Sequence, residues 1–150
     1  MTPETIDLLG SWRLVACELW RGGACVEPFR MGQDPTGFIH YLPDGRMSFI
    51  GANGARPLAS VADRSKMSAE EQAVSARTFN AYAGPYKRTG TVVVHHLEAS
   101  SFENDKGTDY IRHIGVEGSY LTLSSPPMER PDGTYLLKLT WDRIAPAKPA

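Results

Sequence analysis

Gly37-Phe-Ile-His-Tyr-Leu-Pro-Asp-Gly-Arg-Met-Ser-Phe-Ile50 is the stretch that decides the fold. Two apolar-rich runs, residues 37–42 and 46–50, flank Pro43-Asp44-Gly45. Asp-Gly between such runs marks a β-hairpin, because glycine takes up the positive φ that a tight turn between twisted strands demands. Side chains alternate across a strand, so Ile39 and Tyr41 fall on one face and His40 on the other.

Outward from the hairpin the same grammar repeats. A first strand is predicted over residues 10–19, followed by a Gly- and Pro-containing loop over 22–35. Beyond the hairpin one helix interrupts the strands. Ser68-Ala-Glu-Glu71 matches a capping box, with Ser68 as N-cap and Glu71 reaching back to it. Ala73, Ala76, Phe79 and Ala83 follow at spacings of three and four, and Gly84-Pro85 is the expected stop. Further strands are predicted over residues 86–89, 91–99, 108–116, 120–125 and 135–144. They are separated by Asn104-Asp105, Glu117-Gly118 and Pro131-Asp132-Gly133. Many short strands with turn signals between them read as an all-β sandwich or barrel. The count of about eight is near the number at which a closed sheet can hold one small ligand. The helix is expected to cap or flank one end.

The 150 residues form one expected domain, with an ordered core over about 9–144 and a flexible Pro/Ala-rich tail over 145–150. Hydrophobic residues make up 41% and charged residues 22%, too apolar a mixture for disorder. The net charge of -1 and the scatter of Lys and Arg offer no basic field, so nucleic acid is not an expected partner. No stretch approaches the ~18 apolar residues of a membrane span, and the acidic start lacks the pattern of a signal peptide. Cys17 and Cys25 make neither a Cys-x-x-Cys pair nor a disulfide framework. The expected setting is cytoplasmic, and a homodimer is left open.

Parity then proposes a lumen. Val93, His95 and Leu97 share one face of their strand, with His96 on the other. Tyr110, Arg112 and Ile114 share a face, as do Leu137, Leu139, Trp141 and Arg143. An arginine turned inward is costly unless it meets an anion, an acceptor or an aromatic face, so Arg112 is the candidate polar anchor. Pairing outside with an acid is the competing reading. Adjacent histidines on a regular strand cannot share a metal, and none of His40, His95, His96 and His113 has metal-ligand spacing, so no metal is expected. Neither a phosphate-binding Gly-rich loop nor a Gly-x-Ser-x-Gly elbow is present, and no cofactor is expected.

Gly10-Ser11-Trp12 on the first strand resembles the Gly-x-Trp signature of lipocalins. Trp141-Asp142-Arg143 supplies the Arg that in those proteins packs across that Trp to close the barrel base. Leu9-Gly-Ser-Trp-Arg-Leu14, Tyr41-Leu-Pro-Asp-Gly-Arg-Met-Ser48, Ala81-Tyr-Ala-Gly-Pro-Tyr86, His95-His-Leu-Glu-Ala-Ser100 and Leu121-Thr-Leu-Ser124 resemble the bacterial and fungal lipocalin-like domain family. The resemblance implies a mostly-β, calycin-type, antiparallel up-and-down barrel with an internal hydrophobic cavity, and structural closure by Trp12 and Arg143. It implies no reaction.

Two functions follow as expectations. The first is binding of a small apolar or amphipathic molecule in the cavity, with Tyr41, Tyr86, His95, Tyr110 and Arg112 as candidate ligand contacts. The second is a cofactor-independent cyclase or isomerase acting on a polyketide- or terpenoid-like substrate. There His95 is the candidate catalytic base, and Tyr41, Tyr86 and Arg112 would orient a carbonyl or stabilise an enolate. The competing reading of His95 is a hydrogen-bonded core residue. A cavity filled by its own side chains would weaken both functions.

Overall fold

Alternating burial along the strands, rather than any continuous apolar run, organises the molecule. The computed structural model describes residues 1–28 and 31–149. Its strands are β1 (Gly10–Arg21), β2 (Ala24–Pro28), β3 (Thr36–Tyr41), β4 (Arg46–Ala52), β5 (Phe79–Thr89) and β6 (Val92–His96). They continue as β7 (Ala99–Ser100), β8 (Asp109–Glu117), β9 (Tyr120–Ser124), β10 (Met128–Arg130) and β11 (Gly133–Arg143). One α-helix, α1 (Ala69–Arg77), lies between β4 and β5.

Every pairing is antiparallel, and the ring runs β1-β3-β4-β5-β6-β8-β9-β11 and back to β1. The β1–β11 seam extends from Trp12 opposite Arg143 to Arg21 opposite Tyr135, with one irregularity between Leu14 and Ala16. The fold is therefore a closed eight-stranded up-and-down barrel with β2, β7 and β10 as additional strands. Closure removes the exposed sheet edges that invite association. In the hairpin of β3 and β4, Gly45 takes φ +85° and its N–H bonds Leu42 O, as the Asp-Gly signal predicts.

Three boundaries differ from the sequence reading. The helix stops at Arg77, not near Ala83: the Thr78 N–H closes the last turn on Val74 O, and Phe79 begins a strand. Residues 79–85 pair with β4, from Ala52 opposite Phe79 to Arg46 opposite Pro85, so the sheet ladder overrides a merely plausible helical spacing. Ala83 is thus a strand residue, and no residue of α1 is buried. Gly84-Pro85 ends no helix. It lies where β5 passes from pairing β7 at Tyr82 and Ala83 to pairing β6 from Tyr86 onward. A Cβ on Gly84 would stand 1.8 Å from the His96 carbonyl oxygen, so this crossing requires glycine. Correspondingly, the strand expected over 91–99 breaks after His96. Finally, the loop expected over 22–35 contains β2, which pairs with the outer part of β1. Within that loop, Phe29 and Arg30 lie outside the described residues, as does Ala150 of the expected tail.

The end where β1 starts and β11 finishes is the base. There Ile6 and Leu8, ahead of β1, are buried in the core with Trp12, Tyr41 and Trp141. Arginines hold this segment by its carbonyls. Arg143 donates to Leu9 O at 2.8 Å and to Asp7 O, and Arg88 donates to Pro3 O at 2.8 Å and to Ile6 O. Trp12 Nε1 donates to Leu8 O at 2.9 Å, and the Arg143 guanidinium lies 4.0 Å from the Trp12 ring centre. At the opposite end, the mouth, residues 53–68 and α1 leave the barrel from β4 and return to β5.

Candidate functional site

Parity brings the inward residues of β3, β5, β6 and β8 to one region. His95 and Tyr41 are 0% exposed, and Tyr82 is buried. The Tyr41 hydroxyl sits 2.7 Å from His95 Nε2 and the Tyr82 hydroxyl 3.0 Å from His95 Nδ1. His95 is thus a buried imidazole with a phenol on each nitrogen, while His96 points outward to Asp109 at 2.7 Å.

Aromatic contacts extend this chain both ways. Toward the base, Tyr86 packs edge-on to Tyr41 with centroids 4.9 Å apart and donates its hydroxyl to Leu42 O at 3.1 Å. Toward the mouth, Tyr110 meets Tyr82 edge-on at 5.1 Å, and its hydroxyl donates to Asp105. The Arg112 guanidinium lies 5.0 Å from the Tyr110 ring centre. Its Nη1 donates to Ile111 O at 3.0 Å, and no described Asp or Glu forms an ion pair with it.

Burial sets the electrostatics. Loss of water pushes the His95 pKa down to about 3, with the nearby Arg112 charge adding to the effect, so the ring is neutral at pH 7. Desolvation likewise raises the Tyr82 hydroxyl to about 12 and the Tyr41 hydroxyl well above its ordinary value. Tyr110 is raised by burial and by its bond to Asp105. All three phenols are protonated donors under physiological conditions.

Among the described residues a small cavity lies inside the barrel. A cavity of about 50 Å³ is lined by Cys17, Met31, Phe49, Asn80, Tyr82, Tyr110, Arg112, Leu137 and Leu139. On the same measure one water needs roughly 10–15 Å³ and a pocket for a drug-sized ligand has roughly 300–1,000 Å³. A cavity of about 50 Å³ admits a head group. Met31 and Asn80 also line a mouth groove of about 400 Å³ formed with Ala76, Arg77 and Phe79, so the two spaces share a wall.

Of the five residues singled out from sequence, Tyr110 and Arg112 line the cavity, while Tyr41, His95 and Tyr86 form the aromatic chain leading to the base. Tyr82 joins the two groups, and the sequence reading passes over it because the predicted helix covers it. Its signal was the alternation of Asn80, Tyr82 and Gly84, which suits a strand. Among the described residues no group of three or more His, Cys, Asp and Glu could hold a metal ion, and no helix is long and apolar enough to cross a membrane.

Comparison with known proteins agrees with this geometry. No curated protein matches the chain in sequence. The lipocalin-like domain, by contrast, matches residues 9–144, from just before the Gly-x-Trp strand to just past the Arg143 that covers its tryptophan. The chain belongs to the lipocalin-like domain family.

Proposed function

We propose that the protein binds a small amphipathic molecule at the mouth of its barrel, with one end inserted beneath the rim. The observation that carries this reading is the small cavity, apolar with a few polar groups, that adjoins the mouth groove through Met31 and Asn80. Phe49, Leu137 and Leu139 supply apolar surface there, and Tyr82 and Arg112 supply donors beside Tyr110, whose own proton goes to Asp105, the mixture typical of ligand sites. Ligand contacts in this reading fall to those three polar residues, while Tyr41, Tyr86 and His95 hold Tyr82 from behind. The cytoplasmic setting is kept on the strength of a sequence with only two cysteines.

The Tyr41–His95–Tyr82 chain favours a second reading, a cofactor-independent cyclase or isomerase in the same cavity. A general base works best with a pKa near the operating pH, and a histidine at about 3 is far from it. That mismatch ranks catalysis below binding.

Native mass spectrometry of the purified protein, followed by a thermal-shift screen of apolar carboxylates, phenols and terpenoids, tests the reading. A co-purifying small molecule or a raised melting temperature for one class is expected. No bound molecule and no shift with any class would overturn it.

A further inference from the structure

The binding reading leaves open which chemistry the cavity takes, and the proton count at its floor narrows the choice. Tyr41, His95 and Tyr82 bring three protons, two phenolic and one on the neutral ring, to two hydrogen bonds. One phenol donates to the imidazole, the imidazole N–H donates to the other phenol, and that second phenol keeps its own proton. Tyr41 is sealed in the core, where an unused donor is costly. Tyr82 lines the cavity. The cheaper arrangement has Tyr41 donating to Nε2, Nδ1–H donating to Tyr82, and the Tyr82 proton available to an occupant.

Arg112 adds a second demand for an acceptor. Its guanidinium carries five N–H donors, of which one is taken, by Ile111 O, among the described residues. Asp105, in the turn ahead of β8, accepts the Tyr110 hydroxyl. Asn80 accepts the Ser101 hydroxyl at 2.9 Å through Oδ1, which leaves its amide N–H groups as further donors at the mouth. Cation, phenol and amide are all donors, converging on a space of carboxylate size. A neutral alcohol would satisfy one of them; a carboxylate has two oxygens and a charge for the pair.

Resting on the binding reading, we propose that Arg112 and Tyr82 form a seat for the carboxylate of a monocarboxylic amphiphile, which enters head-first and lays its apolar body along the mouth groove. His95 is a positioning residue in this arrangement, turning the Tyr82 proton toward the seat.

The test is calorimetric titration of the whole protein with octanoate, 1-octanol and octylammonium. Octanoate is expected to bind most tightly of the three. Arg112→Met should weaken it about ten-fold or more, and Tyr82→Phe several-fold, with 1-octanol little changed by either. Arg112→Lys, which keeps charge without the fork, should fall between. Should 1-octanol bind the wild type as tightly as octanoate, the carboxylate seat is overturned while the binding reading stands. Unchanged octanoate affinity in folded Arg112→Met would have the same meaning. If Arg112→Met fails to fold, the octanoate-to-octanol ratio of the wild type decides alone. Binding of none of the three probes would overturn the carboxylate seat, and the wider screen above would then decide the binding reading.

Discussion

His95 holds a phenol on each nitrogen and is shut off from water, and with the Arg112 charge nearby a second ring proton is disfavoured. Its ordinary pKa of 6.5 applies to the unfolded chain and about 3 to the folded one. Between those values the unfolded state holds a proton that the native state lacks, so stability is full above about pH 6.5 and falls as pH drops toward 3. The slope from this one group is up to roughly 1.4 kcal/mol per pH unit. His95→Gln keeps a donor and an acceptor but does not titrate. Its melting temperature should therefore decline less steeply with acid than that of the wild type across this window, by differential scanning calorimetry. Parallel curves would remove His95 from the account. The inward course of His95 was legible, since residues 92–96 alternate and only one of two adjacent histidines can face the lumen. The size of the cavity was not. It depends on how the volumes of Phe49, Tyr82, Leu137, Leu139 and their neighbours add up, and no local pattern encodes that sum.

Elements were readable where local chemistry was unambiguous and misread where two patterns competed. The capping box at Ser68 and Glu71 forms as expected, with both reciprocal hydrogen bonds. The helix end was lost because alanines at residues 73, 76 and 83 fit a helix as well as anything, while the pairing that claims residues 79–85 comes from β4, some thirty residues earlier. Glycine 84 was noticed, but for the wrong reason. Its role is the close approach of His96, which makes Gly84→Ala a test of the crossing from β7 to β6. The added methyl has to displace backbone rather than a flexible side chain, at a cost of about 3 kcal/mol. A urea midpoint equal to that of the wild type would show that the crossing relaxes freely. β2 was missed because Gly22, Gly23 and Pro28 read as loop, although β1 is long enough to pair with it beyond the reach of β3.

At the scale of the whole molecule, the fold is a ring that its first residues help to plug. Leu8 is 3% exposed although it precedes every strand, and its carbonyl takes the Trp12 indole proton. Leu8→Ala should cost about 3 kcal/mol, as for an interior strand residue, read from chemical denaturation. A loss below about 0.5 kcal/mol, usual for surface positions, would make the segment an appendage rather than a plug. The seam between β1 and β11 has a consequence for synthesis. Its two strands are the barrel's first and last in chain order, so during synthesis β1 precedes the other strands and waits for a partner that follows them all. Throughout that interval one side of β1 is an open edge, carrying Val15 and Leu19 among its side chains, and such edges recruit other chains. Translation speed through the final strand, and chaperone cover of the nascent first one, thus bear on yield as directly as the stability of the finished barrel.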